Sequence, residues 1–361
     1  MITCRVHTPS RTYPVVIEPG GLLRLPHWLD AQGIPREQVL LLSDRCVEAL
    51  YGEPLCQLLG QTGSRVRVFS LPPGEESKAL AYLLELYDRA LEEPIDRHTL
   101  VLALGGGVVG DVAGMLAATL LRGLPLVHVP TTLLAQVDSA IGGKAGVNHR
   151  RGKNLIGVIY QPHGVFIDPA VLRSLPEREW ISGLAEVYKY ALIADAELYG
   201  LLLRSRDRIQ ARELDSVCEL VSRSVQVKAC IVSEDETERG RRAVLNFGHT
   251  FGHALEAATG YSRYRHGEAI VVGMWAACWL SARRYPAFPW KEAAVLLEQL
   301  PVSDWPRDVS FEALWPHMER DKKRRDGQLR FVLLRTLGEP VLEEVSRQEA
   351  EEAWRWVRQR G

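Results

Sequence analysis

TLVLALGGGVVGDVAG, residues 99–114, decides the fold. A short apolar run, TLVLAL, reads as a buried strand. It enters three glycines and then a small-residue helical pattern. Gly105, Gly107 and Gly110 satisfy G-x-G-x-x-G. Without Cβ atoms, such a turn lets backbone N–H groups approach a pyrophosphate at a helix N-terminus. On the pattern alone, a plain glycine-rich strand-to-helix turn fits equally well. No acidic residue stands about 20 positions on to hold a ribose, since Asp138 follows Gly110 by 28.

Outward from this turn the first half alternates strands and helices. YPVVIE (13–18), VLLLS (39–43), RVRVFS (65–70) and LVHVP (126–130) are short and bounded by glycine, proline or polar residues. Between them ESKALAYLLELYDRALEE (76–93) repeats apolar residues at three and four. Alternation of this kind predicts a mainly parallel, Rossmann-like sheet with helices on its faces. Asp44, Glu75, Lys78, Thr131 and Thr132 lie at or just past strand ends, where open α/β sheets bind ligands.

After about residue 176 the strand signal nearly vanishes. Segments 184–203, 214–234, 250–259 and 268–284 read as helices, and LRFVLLRT (329–336) as a late strand. Two prolines in DPAVLRSLPERE mark the boundary. The expected domains are 1–175, α/β, and 176–361, mostly α-helical.

Composition excludes several function classes. Of 361 residues, 46% are apolar and 25% charged, with net charge −1. No global field attracts nucleic acid or an anionic membrane, so any bound anion is held by local cations. The six cysteines show no C-x-x-C spacing and read as free thiols. The N-terminus has no apolar leader core, and no run of about 18 apolar residues occurs. The expected location is cytoplasmic.

Three of ten histidines, His249, His253 and His266, fall within LNFGHTFGHALEAATGYSRYRHGEA. His249 and His253 are four apart, so on a helix both face one side and suit chelation of one ion. Glu186 in GLAEVYKYAL is an acid on an apolar face, with Lys189 one turn on. Buried, it needs pairing or coordination. Spacing thus leaves both His249/His253 chelation and a Glu186-containing set open. Cations gather as well. QVDSAIGGKAGVNHRRGKNLIG (136–157) carries Lys144, Lys153 and Asn154 among glycines, Lys228, Arg242 and Asn246 follow, and MERDKKRRDG adds Lys322 and Lys323. Lysine and arginine grip phosphate or carboxylate by charge-assisted hydrogen bonds.

In order, GGGVVGDVAG, VPTTLLAQVDSAIGGKAGVN, GKNLIG, GLAEVYKY and LNFGHTFGHALE…HGEA closely resemble the 3-dehydroquinate synthases, shikimate-pathway members of the sugar-phosphate cyclases, over about residues 10–340. The resemblance implies an NAD-binding α/β domain, a helical metal domain and an active site in the cleft between them. It implies zinc, or alternatively cobalt, on Glu186, His249 and His266, with His253 not a ligand but near the substrate phosphate and moving protons. The reaction implied turns 3-deoxy-D-arabino-heptulosonate 7-phosphate into 3-dehydroquinate and phosphate. NAD+ takes a hydride from the C5 alcohol and later returns it.

Residue roles follow the same resemblance. Asp44, Glu75, Lys78, Gly107, Val108, Gly110, Asp111, Thr131, Thr132, Lys144, Lys153 and Ser174 meet NAD+. Lys144, Asn154, Asn246 and His253 hold the phosphate, and Lys228 and Arg242 the carboxylate and nearby hydroxyls. Asp138 and Lys189 orient the reacting hydroxyls. Glu238 pairs with a cation, and Lys322 or Lys323, with Lys323 chosen, closes over the phosphate. Arg122 reaches the neighbouring subunit's site, so a homodimer is expected. Ala140, Ala145 and Ser174 depart from the family pattern without removing a ligand or charge. Cyclases making 2-deoxy-scyllo-inosose or valiolone-type products are the alternative. More distant are a metal-dependent polyol dehydrogenase, which has no use for so many cations, and an inactive scaffold.

Overall fold

The computed structural model describes residues 1–324 and 329–360, with backbone only at 320–324. The chain forms two compact units. The first joins Met1–Leu175 to Leu214–Thr237, and the second joins Pro176–Glu213 to the chain from Glu238 onward.

The first unit is built on a seven-stranded sheet. Its strands are β1 (Ile2–His7), β2 (Thr12–Ile17), β3 (Gln38–Asp44), β4 (Arg65–Leu71), β5 (Leu100–Gly105), β6 (Leu126–Pro130) and, past a hairpin, β9 (Gly164–Ile167). They lie in the order β1-β2-β9-β6-β5-β3-β4. Only β1 runs antiparallel to its neighbour. Strands β5 and β6 are buried at every position, as expected of parallel strands covered on both faces. Alternation sorts their side chains. Leu40, Leu42, Val101 and Ala103 enter one core with the helix Gly107–Thr119. Leu41, Leu100, Leu102 and Leu104 enter the other with Trp28 and Phe166.

Strands β7 (Lys144–His149) and β8 (Gly152–Ile159) form a separate antiparallel hairpin. This is the glycine-rich stretch read above only as a cation cluster. Its glycines and charges mask the period-2 signal.

The second domain expected over 176–361 needs correction. The helix Leu214–Glu234 packs against β1, β2, Ala135–Ser139 and Pro169–Ser174, and so belongs to the first unit. Its stripe of Val217, Leu220, Val221, Val225, Ile231 and Val232 is buried along its length. Ser233 Oγ accepts from His7 N–H at 3.0 Å, and Glu236 Oε1 accepts from Gln161 Nε2 at 2.9 Å.

The second unit is helical apart from a hairpin of β10 (Arg330–Leu334) and β11 (Pro340–Glu344). The helix expected over 184–203 is two, Glu177–Ile193 and Ala196–Arg204. Ala194 closes the first, and Asp195 caps the second, accepting from Glu197 N–H and Leu198 N–H. The helices His249–Ala258 and His266–Arg284 follow. Two close approaches fix them. A Cβ on Gly273 would stand 1.9 Å from Gly248 O, and one on Gly267 would stand 2.2 Å from Ser182 O. Only glycine lets the helix His266–Arg284 touch the backbones of both partners.

Two outcomes follow. Gly273→Ala should destabilise the protein by about 1–3 kcal/mol or more. Gly60→Ala should be neutral or slightly stabilising, since nothing lies within 4 Å of its added Cβ. Urea denaturation of both variants checks this, and equal losses would show that the helix contact is not tight. His128 is buried behind the glycine turn, and burial pulls its pKa down from 6.5 to about 4. The unfolded chain takes up a proton near pH 6.5 and the folded chain only near pH 4. The contribution is therefore complete above pH 6.5 and lost as pH falls towards 4. At about 1.4 kcal/mol per pH unit its ceiling is roughly 3 kcal/mol. His128→Gln should flatten the fall in stability from pH 6.5 to 4.5, and an unchanged slope would contradict it.

Candidate functional site

In the second unit one carboxylate and three imidazoles converge. Glu186 lies on the inner face of Glu177–Ile193 and is fully buried, as Lys189 nearly is. One carboxylate oxygen, Oε2, pairs with Lys189 Nζ. The other, Oε1, lies 3.6 Å from His249 Nε2 and 3.5 Å from His266 Nε2. His249 opens its helix behind Gly248, whose φ is +78°. His266 opens the next, and the two rings meet edge to face at 5.4 Å.

Each ring is oriented through its far nitrogen. His249 Nδ1 lies 3.1 Å from Phe247 O, and His266 Nδ1 lies 3.2 Å from Glu256 Oε2. Such partners direct Nε2 towards a common point and raise its basicity. Bonds of about 2.0–2.1 Å to a tetrahedral ion place ligand atoms about 3.4 Å apart. The spacing of Oε1 from both Nε2 atoms fits that requirement. His253 completes a trio of histidines whose nitrogens lie within 4.8 Å of one another. It is exposed, whereas Glu186 is sealed from solvent.

Charge follows this geometry. Burial first, and then the Lys189 charge, hold the His249 pKa well below its ordinary value. Burial also opposes the charged form of His266, but hydrogen bonds to Glu186 and Glu256 outweigh it and raise its pKa to about 10. A divalent cation between Oε1 and the two Nε2 atoms would take the place of the proton that Glu186 and Glu256 favour on His266.

Sequence reading passed over Glu256. The signal was present, because it lies seven residues after His249 on the same helical face and is buried. Arg178 and Glu268 were missed as well. Their fork of 2.9 and 2.7 Å ties the start of Glu177–Ile193 to the start of His266–Arg284. Nearby, Arg242 is buried, and Asn246 Nδ2 donates to Glu238 Oε1 at 2.6 Å. Glu238, expected beside a cation, thus has an amide partner. Its φ of +58° is unusual for a non-glycine residue.

The first unit gathers the other candidates around its sheet ends. The helix Gly107–Thr119 starts directly after β5. Lys78 and Asp111 form an ion pair with Lys78 buried. Burial raises the Asp111 pKa against the opposing pull of Lys78. The Thr131 hydroxyl is buried without a partner among the described residues. Thr132 Oγ1 accepts from Ala135 N–H, and Asp44 Oδ1 accepts from Cys46 N–H and Val47 N–H, so both are also local caps. Ser174 Oγ lies 2.7 Å from Tyr51 OH. Lys228 Nζ donates to Asp138 Oδ1 at 2.6 Å, joining the long helix to the segment Ala135–Ser139. Lys153 Nζ lies 4.0 Å from Glu75 Oε1. Lys144 is exposed at the start of β7. Arg122 is exposed at a corner where it and Leu121 both have positive φ. Lys323 lies outside the residues whose side chains are described.

No helix among the described residues is long and apolar enough to cross a membrane. A family model described as 3-dehydroquinate synthase N-terminal matches residues 68–182, and one described as 3-dehydroquinate synthase C-terminal matches residues 183–324. The 3-dehydroquinate synthase of Salinibacter ruber is 46% identical over 355 residues, covering 98% of this chain and 96% of the relative. That of Syntrophotalea carbinolica is 44% identical over 339 residues, covering 93% of each. The structure of 2-epi-5-epi-valiolone synthase from Streptomyces hygroscopicus subsp. jinggangensis, with NAD+ and Zn2+ bound, matches with a TM-score of 0.88 at 30% identity over 97% of each chain. That of 2-deoxy-scyllo-inosose synthase with carbaglucose-6-phosphate, NAD+ and Co2+ matches at 0.87 and 27% over 99% of each. An iron-containing alcohol dehydrogenase, 14% identical with a TM-score of 0.74, shares the fold alone. The chain belongs to the 3-dehydroquinate synthase family of sugar-phosphate cyclases.

Proposed function

We propose that this chain is a 3-dehydroquinate synthase, converting 3-deoxy-D-arabino-heptulosonate 7-phosphate to 3-dehydroquinate and phosphate with NAD+ and a divalent metal. The carrying observation is the buried Glu186 carboxylate poised between two oriented imidazole nitrogens. Curated relatives bearing that name at 41–46% identity support this branch of the family. The inosose and valiolone synthase structures stand at 26–30%.

Glu186, His249 and His266 are the proposed ligands of zinc or cobalt, and His253, the exposed imidazole of the trio, is assigned to the substrate instead. When bound, the ion supplies Lewis-acid stabilisation of negative charge on the substrate hydroxyl oxygens, and NAD+ supplies a reversible hydride acceptor. Lys189 holds the second oxygen of Glu186, so that Oε1 stays aimed at the imidazoles, and it offers a donor to a substrate hydroxyl. Asp138, paired with Lys228, orients a second hydroxyl. Lys228 and Arg242 are buried cations suited to a carboxylate. Lys144, Asn154, Asn246 and His253 bind the phosphate, and His253, open to solvent, moves the proton during phosphate loss. The residues around the glycine turn, Gly107, Val108, Gly110 and Asp111, bind the dinucleotide with Asp44, Glu75, Lys78, Thr131, Thr132, Lys153 and Ser174. A homodimer in which Arg122 completes the neighbouring site is part of this proposal.

Metal-loaded protein given NAD+ and the heptulosonate phosphate should release inorganic phosphate together with dehydroquinate. Turnover of glucose 6-phosphate in its place would assign the chain to the inosose branch. Glu186→Gln should lose its metal on dialysis while keeping the wild-type circular dichroism, and retained metal would refute the ligand set. Glu256→Gln keeps all three ligands but weakens the orientation of His266. Its metal affinity, measured by chelator competition, should fall about 10–100-fold. An unchanged affinity would leave Glu256 a purely structural acid.

A further inference from the structure

The geometry points to Asn148 as a positioning residue that couples the dinucleotide-binding and phosphate-binding parts of the first unit. This rests on the proposed roles of Glu75, Lys78, Lys153 and Asn154.

Asn148 sits where the β7–β8 ladder breaks. Val147 pairs with Ile156 and His149 with Gly152, so Lys153, Asn154 and Leu155 bulge opposite Asn148. Bulges re-aim side chains next to functional sites. Here the bulge displays Lys153 and Asn154, and Asn154 adopts a φ of +54°. Asparagine tolerates that region better than most residues, but the conformation still needs holding.

Asn148 supplies the hold. Its Oδ1 accepts from Asn154 N–H at 3.0 Å. Its Nδ2 donates to Glu75 Oε1 at 2.7 Å, the oxygen that also faces Lys153 Nζ. Its own backbone N–H donates to Lys78 O at 2.8 Å, beside the bridge between Ala79 and Asn148. One side chain and one peptide thus join the segment carrying Glu75 and Lys78 to the bulge carrying Lys153 and Asn154. Among the described residues no other amide makes both of these side-chain contacts. Dinucleotide binding that orders Glu75 and Lys78 therefore also orders the bulge, and the anion then binds a site already organised. The coupling is reciprocal.

The test is calorimetry on the full-length protein with inorganic phosphate as the probe, with and without saturating NAD+. In the wild type NAD+ should tighten phosphate binding at least about 5-fold. Asn148→Ala should bring that ratio to about one. Asn148→Asp keeps the acceptor for Asn154 N–H but sets a carboxylate against Glu75. It should weaken NAD+ and abolish the ratio while leaving phosphate affinity without NAD+ near wild type. A merely structural asparagine would shift Tm and both affinities together and keep the ratio. A preserved ratio in both variants, or no coupling in the wild type, overturns the proposal while the site assignment survives. Failure of the wild type to bind either NAD+ or phosphate overturns the assignment, and this inference falls with it.

Discussion

Glu186 has no access to solvent, and a carboxylate in that position must be neutralised by what surrounds it. Lys189 takes one oxygen, and two imidazoles face the other. This arrangement exists only because three helices touch backbone to backbone. Gly267 lies on Ser182, and Gly273 lies on Gly248. A side chain at Gly267 would push the helix of the acid off the helix of His266, and one at Gly273 would push the two histidine helices apart. Packing and site chemistry are therefore one constraint in this unit.

The first unit meets a different demand. Its parallel sheet is covered on both faces, so polar groups can emerge only at strand ends and on the attached hairpin. Lys78, Asp111, Thr131 and Asp138 lie in the segments that follow strand ends, Lys228 reaches Asp138 from the long helix, and four of these five are paired with one another. Pairing Lys78 with Asp111, and Lys228 with Asp138, lets cations remain in largely buried surroundings at lower cost.

Much of this was legible in the sequence. Mostly apolar runs gave β3, β5 and β6 because burial on both faces leaves little room for polar residues, buried Ser43 and His128 being exceptions. Glu186 stood out as a lone acid on an apolar face. Other features left no local trace. β1 alternates in sequence but lies at a sheet edge with only Val6 buried, and the β7–β8 hairpin is polar and glycine-rich and carries no clear period. The return of Leu214–Glu234 to the first unit depends on what its apolar stripe meets, which periodicity does not encode. Spacing by four also nominated His249 with His253. The oriented nitrogens of His249 and His266 depend on Phe247 O and Glu256, contacts that a spacing rule cannot register. Family resemblance, not helical geometry, singled out His266.

The re-entrant helix Leu214–Glu234 has a bearing on biosynthesis. The first unit is discontinuous, and its last part, ending at Thr237, follows the insertion Pro176–Glu213. A nascent chain must therefore expose most of the second unit's acid helix before β1 and β2 receive their covering stripe. Until then, that flank of the sheet awaits its partner, a period in which a chaperone would find a ready substrate. Severing the gene at residue 175 would leave the first fragment without its covering helix, and the second carrying that helix with an apolar stripe that has lost its sheet.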